Sequence, residues 1–227
     1  MFNSKRLPAF SLLEMAIVLA IIGVVVGISL PVLIGHKSID KRRTTTQHLE
    51  SVLEALKVFG AHHHRLPCPA TKDSQGKSLQ SCDAHAIGYV PYKALGISAS
   101  LTQDGYGHPI HYALDPLYTL PSPGTSPEEE GAIKVLDEKN TSVLDTTQNK
   151  CDRIVVVLVA EGEAYGTPSS TAENGNLASD LTFYDYPYAL GSFRHNVRWT
   201  TRNVVLPHSP SPGLQVPSLQ DVDDPNK

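Results

Sequence analysis

Charge is scarce in this chain: Asp, Glu, Lys and Arg make up 19% of its 227 residues and leave a net charge of −4. That balance lacks the basic footprint of a nucleic-acid binder and the acidic excess of a solvating protein. Aromatic residues are few as well, at 7%, with Trp199 the single tryptophan, whereas Gly and Pro number 16 and 17. Such a composition suits short strands joined by many turns. No long repeat and no heptad register runs through the sequence, which removes solenoids and coiled coils from consideration.

Catalytic and metal-binding patterns are missing too. There is no G-x-S-x-G elbow, and "AEGEAYG" (160–166) has no phosphate-loop lysine. No C-x-x-C pair favours zinc, and no EF-hand spacing favours calcium. His62, His63 and His64 are the most tempting metal cluster, but neighbours on a helix point about 100° apart and do not share one ion readily. They read better as polar residues near a helix C-terminus, where the macrodipole favours positive charge. The expectation is therefore a protein that is not an enzyme and uses no metal and no cofactor.

Three cysteines, Cys68, Cys82 and Cys151, are an odd number for an exported domain, where two would pair and one would be left over. A Cys68–Cys82 bridge would close a loop of about 15 residues, worth roughly 3 kcal/mol in the chain-entropy model. Three buried, reduced thiols are the other reading.

What the chain does have is one long hydrophobic run near its start. In "RLPAFSLLEMAIVLAIIGVVVGISLP" (6–31) nearly every residue after Phe10 is apolar except Glu14. Over 15–34 the only polar side chain is that of Ser29. A helix of that length is about 30 Å long, the thickness of a bilayer's hydrocarbon core. A secretory signal has a shorter apolar region, with its small-residue cleavage site after it. Here the small residue, Ala9, precedes the run.

These residues closely resemble the N-terminus of type IV prepilins and of the pseudopilins of type II secretion. The resemblance is tight over residues 5–35. It implies a short basic leader (1–9), cut on the cytoplasmic side between Ala9 and Phe10 by a prepilin peptidase that also N-methylates Phe10. Glu14 then becomes the fifth mature residue, where the family has its glutamate, and Gly23 and Pro31 fall where many pilins have Gly and Pro. Ala9 departs from the family's pattern, which usually has Gly before the cut. The implied role is a structural subunit, a minor pilin or pseudopilin. Its implied partners are other pilin subunits, the peptidase/methyltransferase, an inner-membrane assembly platform and membrane lipid before assembly, with no nucleic acid. The implied location is the bacterial inner membrane, single-pass, with the N-terminus cytoplasmic and the domain periplasmic, and then the pilus or pseudopilus. A membrane-anchored adhesive or substrate-binding module is the alternative, and an enzyme on a signal anchor is a third.

Charge alone gives the opposite orientation, because Lys37, Lys41, Arg42 and Arg43 outnumber Lys5 and Arg6. The processing motif decides in favour of a cytoplasmic leader. Beyond a transmembrane and assembly helix (10–35), in which Pro31 should cause a bend, residues 36–60 continue as an amphipathic helix. Leu49, Val52, Leu53, Leu56 and Phe59 mark its apolar face, and Gly60 is its expected stop. Residues 61–206 are expected to form a β-rich domain. "RIVVVLVA" (153–160) is its strongest strand, with 109–114, 181–186 and 196–206 as further candidates, Val197, Trp199 and Thr201 of the last sharing one face. The predicted class is α+β, a pilin-like long bent helix on a small antiparallel sheet.

Two loops strengthen the resemblance. "RLPCPA" (65–70) with "GYVPYKALGI" (88–97) is similar to a Pro/Gly-rich segment of some prepilin-type proteins. "DGYGHPIHYAL" (104–114) is similar to a turn of the major pseudopilin, with Tyr106 and Tyr112 expected to cover apolar surface. That family binds calcium in a loop, but "PEEEG" (127–131) reads better as a solvated acidic turn. The tail 207–227, rich in Pro and Ser, is expected to be disordered.

Overall fold

The computed structural model describes residues 11–82, 86–119, 132–144, 153–189 and 191–206, without the side chains of residues 27–37. Among them, helix α1 (Leu12–His63) is followed by six strands, by the short α-helices α2 (Tyr92–Leu95), α3 (Thr171–Gly175) and α4 (Arg202–Val205), and by four single turns of 3-10 helix. β1 (Ile87–Tyr89), β2 (His111–Leu114), β4 (Ile154–Ala160) and β6 (Asn196–Thr201) form one antiparallel sheet in the order β1-β2-β4-β6. The α+β class agrees with expectation.

β4 is central, and every one of its seven residues is buried. Its alternation explains why the sequence shows an unbroken apolar run rather than a polar-out pattern. Leu158 and Ala160 share a core with Leu49, Val52 and Leu56 of α1 and with Tyr112 and Leu114 of β2. Val157 and Val159 share a second core with Val135, Phe183, Phe193 and Val197. The sheet is thus covered on both faces.

The second cover departs from the single antiparallel sheet expected. β3 (Lys134–Leu136) and β5 (Thr182–Tyr184) pair in parallel as a separate two-stranded sheet. Helix α3 (Thr171–Gly175) lies beside β5, and Asn176 ties the two: its carboxamide accepts from the Tyr184 amide at 2.6 Å and donates to the Tyr184 carbonyl at 3.0 Å. The candidate strand 181–186 therefore exists but belongs to this outer layer. The candidate 196–206 is a strand only to Thr201, and Arg202–Val205 turn into helix α4. As expected, Val197 and Trp199 both meet the second core.

Gly60 does not stop α1. The helix runs on to His63, and His64 closes it in a left-handed conformation (φ 52°), donating its amide to the Gly60 carbonyl at 2.8 Å. The physical reason is close packing: a Cβ at Gly60 would collide with the Val205 carbonyl oxygen of α4. The buried line of the helix is accordingly Thr45, Leu49, Val52, Leu56 and Gly60. Phe59, expected on that face, is only half-buried and lies against the His63 ring, with centroids 4.2 Å apart.

Candidate assembly helix and its seat on the domain

Helix α1 begins where its sequence provides a cap. Ser11 is extended (φ −73°, ψ 142°), and its hydroxyl accepts the Leu13 amide at 3.3 Å. Glu14 stands three residues after this cap, the spacing of a capping box, and its carboxylate lies at the positive end of the helix dipole. The "SLLE" pattern could have shown this local role, which the sequence reading missed. Glu14 is exposed, as are the apolar side chains of residues 12–26, among them Leu12, Leu13, Leu19 and Val24. Nothing lies within 4 Å of where a Gly23 Cβ would stand. Pro31 falls within the bounds of α1, but its side chain, like all of Ala9 and Phe10, lies outside the described residues. Among those residues, no helix is long and apolar enough to cross a membrane. The expected span, 15–34, runs into the stretch whose side chains are not described.

Further along, the helix changes partner from open space to its own domain. Ser38 donates to the Glu163 carboxylate at 2.9 Å, and the Tyr106 hydroxyl donates to the same oxygen at 2.7 Å. The Lys41 ammonium sits 4.7 Å from the centre of the Tyr106 ring, and the Arg42 guanidinium lies 3.1 Å from that of Tyr188. Thr45 accepts the Gly105 amide at 2.9 Å, Asn196 donates to Thr46 at 3.0 Å, and His48 meets the Gln103 carbonyl at 2.6 Å. Gly105 is required here, since a Cβ would strike the Lys41 carbonyl. A narrow cleft beside Arg42, Tyr106, Glu163 and Tyr188 has about 20 Å³ of free volume, room for one water.

The "DGYGHP" turn owes its shape to a buried carboxylate. Asp104 accepts the amides of Tyr106 (2.9 Å) and His108 (2.8 Å) through one oxygen and that of Gly162 (3.0 Å) through the other. It thereby fastens the loop before β2 to the loop after β4. Tyr112, as expected, covers apolar surface: it is fully buried and its hydroxyl donates to the Pro67 carbonyl at 3.0 Å. Tyr106 differs, being half-buried and committed to Glu163. Burial pushes its hydroxyl up to about 12, aided by the Glu163 charge and opposed by Ser38. Bonds from Tyr106 and Ser38 hold the Glu163 carboxyl below its ordinary value.

Behind these loops, buried charges converge from segments remote in sequence. Glu173, fully buried, accepts the Ser169 and Arg194 amides, each at 2.6 Å, and is paired with the Arg194 guanidinium at 3.4 Å. Burial alone would raise this carboxyl, but those bonds overcome it and bring it to about 2. Glu161 accepts from the Gly166 amide at 3.1 Å and meets His111 at 2.8 Å, which outweighs its burial and lowers it. His195 is buried beside both carboxylates with neither ring nitrogen hydrogen-bonded, and desolvation holds its pKa below 6.5. No motif announced this group, because its members lie up to tens of residues apart.

Cys68 and Cys82 form a disulfide with Cα atoms 5.5 Å apart, and both are buried in the core beneath α1. Cys151, the "PEEEG" turn and the tail 207–227 lie outside the described residues. His62 and His63 end α1 and His64 caps it, all exposed. Among the described residues no group of three His, Cys, Asp or Glu side chains is arranged to hold a metal ion. Comparison with protein-family models, with curated proteins and with solved structures finds no match.

Proposed function

We propose that this chain is a structural subunit, a minor pilin or pseudopilin, which polymerises through its N-terminal helix into a type IV pilus or type II secretion pseudopilus. The observation that carries the reading is the register of Ala9, Phe10, Glu14, Gly23 and Pro31 along one apolar run. The exposed apolar side chains of residues 12–26, set against the buried line from Thr45 to Gly60, support it. One part of α1 is committed to its own domain, and the other is left for lipid or for neighbouring copies. On this reading the fold is pilin-like, with a helix bent at Pro31 into a transmembrane half and an amphipathic half.

Cleavage between Ala9 and Phe10 makes a new amine, and methylation of Phe10 leaves it basic. Glu14 of a neighbouring subunit accepts a charge-assisted hydrogen bond from that amine, which offsets the desolvation of both groups and sets subunit register. A carboxylate at membrane depth costs roughly 2.5–3.5 kcal/mol on insertion scales, and assembly relieves it. A second reading, a membrane-anchored adhesive or substrate-binding module, draws on a groove of about 330 Å³ lined by Glu138, Ser170, Tyr186, Ser192 and Phe193. That volume is at the lower end for small-molecule sites.

Mass spectrometry of the N-terminus of the native protein tests the class. The expected result is a chain beginning at N-methylated Phe10, whereas an intact Met1 sinks the processing claim. In the same preparation Glu14→Ala should carry methylated Phe10 yet be nearly absent from the filament fraction. Wild-type incorporation removes the register role.

A further inference from the structure

The basic cluster after the apolar run is the feature that filament assembly leaves unexplained. Residues 37–43, "KSIDKRR", carry four basic side chains and one acidic, on the side of the span where the positive-inside rule does not want them. The structure shows what stands beside them. The domain meets α1 from Ser38 onward, and the loops that reach this end are 104–108 and 162–166. Lys41 lies over Tyr106, whose ring stacks on His108, with centroids 6.4 Å apart, and His108 stacks on Tyr165 at 4.2 Å. Tyr165, Ile39, Lys41 and Arg43 are exposed, and Tyr188 lies half-buried under Arg42. Tyrosines, an exposed isoleucine and basic groups therefore share the end of the domain nearest the apolar run.

Length fixes where this end falls. If the apolar run ends at Ile34, Ser38 is about 6 Å further along a helix and Arg43 about 13 Å. The headgroup layer extends roughly 5–8 Å beyond the hydrocarbon core. Ser38, Ile39 and Lys41 thus lie at headgroup level or just above it, and Arg43 is within reach of it through its long side chain. Tyrosine rings are enriched at this depth, and each Lys or Arg near an anionic surface is attracted to it. Among the described residues the opposing charges here are Asp40, which is exposed, Asp104, which is buried and bonded to three amides, and Glu163, which Ser38 and Tyr106 already engage.

We infer that this end of the domain, with Ile39, Lys41 and Arg43 spaced around the circumference of α1 and Tyr165 and Tyr188 in the loops beside it, seats the domain on anionic phospholipid headgroups before assembly. The inference rests on the membrane-inserted reading above and names the headgroup class of the lipid and the residues that meet it. Drawing the subunit into a filament must then break these headgroup contacts, so the seat opposes premature extraction.

The test uses the full chain in nanodiscs of phosphatidylcholine alone or with phosphatidylglycerol added, read by amide hydrogen exchange. In phosphatidylglycerol, exchange at 104–107 and 162–166 should slow about fivefold or more, and the effect should vanish at high salt. Lys41→Gln/Arg43→Gln should lose the slowing while matching wild type in phosphatidylcholine, and Arg43→Lys should keep it. Should the double variant disturb the loop under Tyr106, Arg43→Gln alone decides. Equal exchange in both lipids overturns the inference, as does protection that follows protein-to-lipid ratio, which would mark a contact between copies. Flotation separates the two readings. A chain that floats with vesicles but shows no lipid-dependent exchange refutes the seat only, whereas one that fails to float refutes the membrane reading as well.

Discussion

Gly60 shows how one residue type can serve two purposes that sequence does not distinguish. After an amphipathic run a glycine reads as a helix terminator, yet here it sits inside the last turns of α1 so that α4 can lie against it. The contact is backbone to backbone, so a methyl group has no flexible neighbour to displace. Gly60→Ala should destabilise the domain by about 1–3 kcal/mol despite alanine's better helix propensity. Urea denaturation with an unchanged slope and a lower midpoint would establish this, and equal or greater stability would return Gly60 to the role of a simple stop. Glu14 carries the same lesson in reverse: its capping-box position is a local use for a residue singled out for assembly.

At the scale of elements, the strands with the strongest local signal were the most legible. β4 is an uninterrupted β-branched run and is central, as its composition requires. β5 was legible as a strand but not as a member of the outer sheet, because its parallel partner β3 is nearly fifty residues away. Among its described residues, the segment between α1 and β1 has only the short turn of helix Lys72–Ser74 and depends on the Cys68–Cys82 bridge and on Leu66 and Cys68 entering the core. The closed loop of about 15 residues predicts that Cys68→Ala/Cys82→Ala costs about 2–5 kcal/mol. The measurement is the denaturation midpoint of the double variant against wild type under oxidising conditions. Reductant should move wild type towards the variant and leave the variant where it is.

For the molecule as a whole, the buried charges between the loops make stability depend on pH with a known sign. Glu173 is held to about 2 when folded, against an ordinary value near 4.3 when unfolded. Its contribution is complete above the unfolded value and is lost as pH falls towards the folded one. His195 is likewise depressed, from 6.5, so its contribution is present above that value and declines as pH drops below it. Wild type should therefore weaken in two stages on acidification, first below about 6.5 and again below about 4.3. His195→Leu should remove the first stage and stay within about 1 kcal/mol of wild type at neutral pH, because it discards a buried, unbonded imidazole. Glu173→Gln should lose about 3 kcal/mol at neutral pH and flatten the second stage. Denaturation midpoints across the pH range check both, and a His195→Leu curve parallel to wild type would refute the assignment.

The sequence by itself determined the apolar N-terminal run, the spacing of Ala9, Phe10, Glu14, Gly23 and Pro31 that resembles prepilins, the amphipathic face at 49–56 and the central strand. Each is written in neighbouring residues, through period, composition or spacing. Only the tertiary structure decided that Gly60 is a packing contact, that β3 and β5 form a second layer, and that Asp104, Glu161, Glu173 and His195 gather behind one end of the sheet. Those outcomes rest on contacts between distant segments, where shape and desolvation act and local pattern has no say.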